Sequence, residues 1–121
     1  GVDLSPDPGV GHDLPPFDVL MLGVGEDGHV ASLFPDHPVL TETGTTAAVH
    51  NSPKPPPNRV TLTMPAIQTA TEVWMIAAGP DKAQSVGAAL AGDKLLPAAH
   101  ATGTERTYWL LDKAAAAEFT R

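Results

Sequence analysis

The chain has 121 residues, and 42% of them are hydrophobic, which is enough to build the core of one domain. Lys and Arg number 7 against 14 Asp and Glu, and the net charge of −7 disfavours nucleic acid and anionic membranes as partners. The chain has no cysteine, no apolar run long enough to span a bilayer and no signal pattern, so we expect a cytoplasmic protein without disulfides.

The two parts of the chain differ in composition. Residues 1–16 are rich in proline and glycine and carry few apolar side chains, so they are predicted to form a loop or linker. Residues 17–121 are predicted to belong to one α/β domain. The chain starts at Gly1 instead of a methionine, so we expect either a trimmed chain or a piece of a longer protein.

Hydrophobic periodicity and turn residues predict strands that alternate with helices. An apolar run at 17–22 predicts a buried strand, and Pro35 and Pro38 limit residues 30–34 to a single helical turn. Further strands are predicted over 45–50, 59–64, 72–78 and 108–111, a stiff polyproline-like loop over 51–58, and helices over 65–70, over 80–91 before Gly92, and over 112–119 with Asp112 as N-cap. This alternation predicts an α/β fold with a largely parallel sheet.

The most informative stretch follows the first predicted strand. Three glycines, Gly23, Gly25 and Gly28, bracket a step in which Asp27 and His29 lie two positions apart. Side chains at i and i+2 of an extended backbone point to the same side, so both can address one ligand or each other. The carboxyl end of a strand is where open α/β sheets place their chemistry, and the glycines allow backbone to approach a ligand closely.

Residues 23–28 also match the dinucleotide fingerprint G-x-G-x-x-G letter for letter. In dinucleotide-binding proteins that loop opens a long helix, and an acid follows about 20 residues later. Pro35 and Pro38 preclude such a helix here, and residues 47–50 contain no acid. We therefore expect no nicotinamide or flavin cofactor.

His29 is the candidate general base, because histidine titrates near neutral pH and can take a proton from water. Asp27 is its candidate partner in the site. The alternative is that His29 is a loop histidine that only packs. The other histidines have no spacing with His29 that indicates a metal site, so no metal is expected; they are His12, His37, His50 and His100.

Two cations are candidates for binding an anion. Arg59 follows three prolines and starts a predicted strand, where a stiff loop would present its guanidinium to a phosphate, although it can equally be a solvated edge charge. Lys82 lies in the first turn of its predicted helix, where the helix dipole disfavours a cation unless it serves an anion.

Four segments together resemble the 6-phosphogluconolactonase family. They are LGVGEDGHVASLFPDHP (22–38), SPKPPPNRVTLTMPAI (52–67), EVWMIAAGPDKAQSV (72–86) and YWLLDKAA (108–115), and they occur in the family's order. The resemblance implies a three-layer, Rossmann-like, largely parallel sheet with helices on both faces, similar to glucosamine-6-phosphate deaminase and ribose-5-phosphate isomerase. Family members also carry an N-terminal half with a phosphate loop that has no counterpart before Phe17. The resemblance therefore implies an incomplete domain, the C-terminal half, which is expected to be inactive alone.

The resemblance also implies an activity and roles for the candidate residues. The activity is hydrolysis of 6-phospho-D-glucono-1,5-lactone in the oxidative pentose phosphate pathway, without cofactor or metal. His29 would be the general base, Asp27 would orient it, and Arg59 and Lys82 would hold the sugar phosphate. Backbone N–H groups of the glycine loop are candidates for binding the oxyanion.

Two alternatives stay open at this point. One is an amino-sugar-phosphate deaminase or isomerase, but that family carries an acid five positions after the histidine, where this chain has Phe34. The other is a non-catalytic fragment that binds a phosphorylated sugar. The expected partners are the sugar-phosphate lactone and the N-terminal half of the enzyme.

Overall fold

A computed structural model describes residues 15–119 and shows an α/β fold. Three strands form a parallel sheet in the order β1-β4-β5, and two strands form a separate antiparallel ladder. Each predicted strand is confirmed within two residues at either end. The strands are β1 (Val19–Gly23), β2 (Thr46–Val49), β3 (Arg59–Leu62), β4 (Glu72–Ala77) and β5 (Arg106–Leu111).

Helical segments join the strands. Helix α1 (Met64–Ile67) begins one residue earlier than predicted, because the Thr63 hydroxyl accepts the N–H of Ala66 and acts as its N-cap. Helix α2 (Ala83–Leu90) follows a short 3₁₀ turn, Pro80–Lys82. The prediction of a helix over 80–91 is confirmed in these two pieces. Within the described residues, no helix is long and apolar enough to cross a membrane. The predicted linker falls almost entirely on residues 1–14, which lie outside the described residues.

The helical turn predicted over 30–34 is wrong. Val30 forms isolated antiparallel bridges to Val24 and Leu33, and the N–H of Leu33 donates to the carbonyl of Val30 at 2.9 Å, so the segment is a tight turn. Val30, Leu33 and Phe34 are fully buried. Burial of these three side chains on one small loop decides the backbone, and Ala31 takes a positive φ of 49° to allow it.

The terminal helix predicted over 112–119 is also wrong, since the chain there forms successive turns. The Asp112 carboxylate does accept the N–H of Ala115 at 2.8 Å, as a capping residue would. It also accepts the N–H of Gly79, so its side chain joins the ends of β4 and β5. The N–H of Ala116 donates to the carbonyl of Asp112, four residues back, but the N–H groups of Ala117 and Phe119 donate to carbonyls only three residues back, so the α-helical pattern does not continue.

The proline-rich segment is a closed loop and not an extended polyproline segment. The N–H of Ser52 donates to the carbonyl of Pro57 at 2.9 Å and draws the two ends of the loop together. The Ser52 hydroxyl bonds the backbone of Lys54 within the loop. The loop therefore has a defined shape where it joins β2 to β3.

The two faces of the parallel sheet have different surroundings. On one face Leu22, Val73 and Met75 are buried in the hydrophobic core, together with Val49 of β2 and Val86 of α2. Successive residues of a strand point to opposite faces, so the intervening positions form the second face. This arrangement shows a largely parallel α/β sheet whose core lies on one side.

The second face is apolar and exposed within the described part of the chain. The strand register aligns Met21 with Trp74 and Tyr108, and Gly23 with Ile76 and Leu110. Met21 is 62% exposed, and Ile76, Tyr108 and Leu110 are each at least 40% exposed. Strand faces of this composition are normally covered by helices or by another chain.

We predict that the isolated chain self-associates through this face. Met21→Glu should weaken the association, because it places a charge at the centre of the apolar face. Leu95→Glu is the matched control, since Leu95 is 71% exposed and lies outside the sheet. Sedimentation velocity over a range of concentrations measures the effect. A wild-type chain that stays monomeric, or equal behaviour of the two variants, would contradict the prediction.

Candidate active site

The candidate site lies at the edge where the parallel strands end. β1 ends at Gly23, β4 at Ala77 and β5 at Leu111, and parallel pairing brings these carboxyl ends to one side of the sheet. After β1 the chain turns back on itself, so that Val30 pairs antiparallel with Val24. We call residues 24–29 the glycine loop. Its position is the one in which open α/β sheets hold their ligands.

Asp27 and His29 meet in this loop, as their spacing predicts. His29 Nδ1 lies 2.6 Å from Asp27 Oδ1, and the His29 backbone N–H donates to the same oxygen at 3.1 Å. A carboxylate only accepts, so the neutral imidazole carries its proton on Nδ1. Nε2 is then the basic nitrogen, and it has no hydrogen-bond partner among residues 15–119. The His29 side chain is 19% exposed, so water can reach it.

Asp27 is held in its ionised form. Burial raises the pKa of Asp27, but the hydrogen bonds from the ring and backbone of His29 and the charges of His29 and Lys54 outweigh it, so the pKa lies below its ordinary value. A lowered pKa stabilises the fold at neutral pH, and this contribution is lost as the pH falls through that value. The carboxylate is therefore available at neutral pH to fix the tautomer of His29.

The three predicted glycines have different roles. A Cβ on Gly25 would lie 2.0 Å from His29 Nδ1, so the imidazole occupies the space of the missing side chain. Gly28 has a φ of +86°, which favours glycine, and a Cβ there would meet Leu96. Gly23 has open space around it and no positive φ. The loop therefore requires glycine at two of the three positions.

The expectation that the glycine loop offers free N–H groups to an oxyanion is wrong for Gly25 and Gly28. The N–H of Gly25 donates to the carbonyl of His29 at 2.8 Å, and that of Gly28 donates to the carbonyl of Gly25 at 3.0 Å. The His29 N–H is bonded to Asp27. These bonds shape the loop. The three N–H groups are used within it and are not free to bind an oxyanion.

Phe34 joins Arg59 to the Asp27–His29 pair. The ring of Phe34 lies 4.6 Å from that of His29, and the guanidinium of Arg59 lies 5.3 Å from the centre of the Phe34 ring. Phe34 is fully buried. Arg59, the first residue of β3, thus supports His29 through the ring of Phe34. Sequence reasoning missed Phe34 as a contact, because only the folded loop brings its ring to His29.

The guanidinium of Arg59 is already bonded to the proline-rich loop. Its Nε donates to the carbonyl of Pro56, and one terminal nitrogen donates to those of Lys54 and Pro55. Arg59 therefore fixes this loop as well as standing near the site. Arg59 also fixes the backbone of Lys54. The charge of Lys54 helps to lower the pKa of Asp27. Sequence reasoning missed Lys54. The lone cation inside the proline-rich run was the available signal.

Lys82 ends the 3₁₀ turn before α2, on the same edge of the sheet. Its ammonium has no hydrogen-bond or ion-pair partner in the part of the chain that the structure describes. The structure connects this turn to the glycine loop through Ser85, whose hydroxyl lies 3.0 Å from the carbonyl of Gly25 and 3.2 Å from that of Lys82.

Residues 15–119 contain no group of three or more His, Asp or Glu side chains that could hold a metal ion.

Comparison with known proteins gives a family. The family model described as "Glucosamine-6-phosphate isomerases/6-phosphogluconolactonase" matches residues 4–109. The chain belongs to this family. It is 60% identical over 111 residues to a protein of Streptomyces coelicolor named 6-phosphogluconolactonase, and the match covers 89% of this chain and 42% of that relative. The chain thus spans less than half the length of this relative.

Solved structures agree with the α/β fold. A crystal structure of 6-phosphogluconolactonase from Thermotoga maritima is 35% identical in sequence and superposes with a TM-score of 0.73, over 81% of this chain and 44% of that one. A monomeric glucosamine-6-phosphate deaminase has a TM-score of 0.66 at 22% identity, over 84% of this chain and 47% of that one, which shows the shared fold. The expected fold class is therefore confirmed, with this chain as part of it.

We predict that Gly25→Ala destabilises the protein by about 1–3 kcal/mol, because the added methyl group and the His29 ring compete for the same space. Gly23→Ala is the matched control at a glycine with open surroundings, and its effect should stay within about 0.5 kcal/mol. The free energy of unfolding in urea measures both variants. Equal values for the two would show that the ring is not packed against Gly25.

Proposed function

We propose that this chain is the C-terminal part of a 6-phosphogluconolactonase and that its glycine loop supplies the base for lactone hydrolysis. The observation that carries the proposal is the 2.6 Å hydrogen bond from His29 Nδ1 to Asp27, which leaves Nε2 free at the edge where the strands end. Membership of a family that includes lactonases supports the same reaction. The oxidative pentose phosphate pathway and the cytoplasm stay predictions from resemblance and composition.

The proposed mechanism has two proton transfers. His29 Nε2 takes a proton from water, and the oxygen of that water forms a bond to the lactone carbonyl carbon as the π electrons of the C=O bond move onto the carbonyl oxygen. In the second step this oxyanion re-forms the C=O bond, the bond from the carbon to the ring oxygen breaks, and the imidazolium gives its proton to the departing oxygen. Asp27 stabilises the imidazolium between the two steps, since its carboxylate stays ionised. The product is the open-chain acid, 6-phosphogluconate.

The environment of His29 favours hydrolysis over deamination. The deaminases that the sequence resembles carry an acid five positions after the histidine. This chain places Phe34 there, fully buried with its ring against His29. An apolar ring at that place gives no group to assist the opening of an amino sugar. Release of ammonia from glucosamine 6-phosphate would support the deaminase, whereas release of acid from the lactone supports the hydrolase.

The exposed face of the sheet supports the proposal that a second polypeptide segment completes the domain. The chain covers 42% of the Streptomyces coelicolor relative, so the remainder of such a protein is long enough to add strands and covering helices. We propose that the isolated chain is inactive for this reason. Activity is therefore tested in a chimera, in which this chain replaces its matching segment in that relative.

In the chimera, His29→Ala should lower kcat by on the order of 10²–10⁴, the usual contribution of a positioned proton-transfer group. KM should change little, because the imidazole acts on water. Acid release from 6-phosphogluconolactone measures the rate. His37→Ala is the matched control, because the ring of His37 caps the 3₁₀ turn Pro38–Thr41 and contacts the carbonyl of His50 instead of Asp27. If kcat for His29→Ala stays within a few-fold of the parent chimera, His29 only packs and the mechanism is wrong.

Lys82→Ala should raise KM for the phosphorylated lactone about 10- to 100-fold, since a charge-assisted bond to phosphate contributes roughly 1.5–3 kcal/mol. The unphosphorylated lactone should show no such change. Lys94→Ala, which removes an exposed cation elsewhere, is the control. Equal losses on both lactones for Lys82→Ala would show that Lys82 does not bind the phosphate.

Arg59→Ala should weaken binding of the phosphorylated lactone and also lower kcat on both substrates, because Arg59 supports Phe34 and the proline-rich loop.

A further inference from the structure

Ser85 makes a buried connection between two parts of the candidate site. It lies in the first turn of α2, and its side chain is almost wholly removed from solvent. Its hydroxyl is 3.0 Å from the carbonyl of Gly25, which lies 60 positions earlier in the chain, and 3.2 Å from the carbonyl of Lys82. A hydroxyl has one proton to donate, so these two carbonyls share it.

The carbonyl of Gly25 is the point on which the glycine loop turns. It accepts the N–H of Gly28 at 3.0 Å, and this bond closes the turn that contains Asp27. The Cα of Gly25 lies directly against the imidazole of His29, as the missing Cβ shows. A displacement of Gly25 therefore displaces both the turn that carries Asp27 and the surface on which the His29 ring rests.

Other tertiary hydrogen bonds hold the loop at different points. The N–H of Ala98 donates to the carbonyl of Gly28 at 3.0 Å, and the Thr61 hydroxyl accepts the N–H of Ser32 at 3.0 Å. Neither of these reaches the helix that follows Lys82. Among the described residues, Ser85 supplies the hydrogen bond between that helix and the glycine loop.

Building on the proposed function, we propose that Ser85 is a positioning residue that fixes the distance between the base His29 and the phosphate-binding candidate Lys82. A substrate held by its phosphate at Lys82 has its carbonyl carbon at a fixed distance from Lys82. The base His29 must therefore lie at a matching distance from the turn that carries Lys82. The hydroxyl of Ser85 sets the register because it bonds both backbones at once. A shift of the reacting groups by about 1 Å costs up to 100-fold in rate.

The test compares Ser85→Val with Ser85→Thr in the chimera. Valine and threonine have nearly the same shape, so the pair isolates the hydroxyl from the effect of the added methyl group. Ser85→Val should lower kcat on the phosphorylated lactone about tenfold relative to Ser85→Thr, with KM changed less than about threefold. With the unphosphorylated lactone, which has no phosphate to bind Lys82, the decrease in kcat should be clearly smaller. Equal kcat values for the two variants, or equal losses on both lactones, would overturn the proposal.

A second readout separates this inference from the proposed function. The pKa of Asp27, followed by NMR of its carboxyl carbon, should rise toward its ordinary value in Ser85→Val, because a displaced loop loosens the hydrogen bonds from His29 that lower it. It should stay low in Ser85→Thr. A parent chimera without lactonase activity refutes the proposed function, and the Asp27 measurement then still decides whether Ser85 positions the loop. An unchanged pKa in Ser85→Val overturns the role of Ser85.

Discussion

The site depends on one hydrogen bond, the 2.6 Å contact between His29 Nδ1 and Asp27. It fixes the proton on one ring nitrogen and leaves the other as a base, and the low pKa of Asp27 keeps the acceptor ionised at neutral pH. The contact exists because Gly25 leaves space for the ring and Gly28 accepts a positive φ. The glycine-rich end of β1 thus brings two polar side chains together as well as turning the chain.

Distant segments hold this short loop in place. Ser85 bonds the carbonyl of Gly25, Ala98 bonds that of Gly28, and Phe34 packs against His29 with Arg59 on its ring. The loop is therefore held by contacts from several other parts of the folded chain. In the proposed enzyme, a segment that covers the exposed apolar face of the same sheet would stabilise the framework that positions the loop.

Sequence reasoning succeeds where the signal is local. The alternation of apolar runs and turn residues predicts all five strands, and the i, i+2 spacing predicts that Asp27 and His29 meet. It fails where tertiary contacts decide: burial of Val30 and Leu33 replaces the predicted helical turn. The sequence does not show that the guanidinium of Arg59 is bonded to loop carbonyls. It also gives no local pattern that marks Ser85, because the hydrogen-bond partner of Ser85 lies 60 positions away.

We propose that this chain carries the base of a lactonase and needs a second segment to complete the sheet. The direct measurement is acid release from 6-phosphogluconolactone by this chain mixed with the separately produced remainder of the Streptomyces coelicolor relative. We expect neither piece alone to hydrolyse the lactone and the mixture to do so. Hydrolysis by this chain alone at the rate of the mixture, or an inactive mixture whose two pieces associate, would contradict the account.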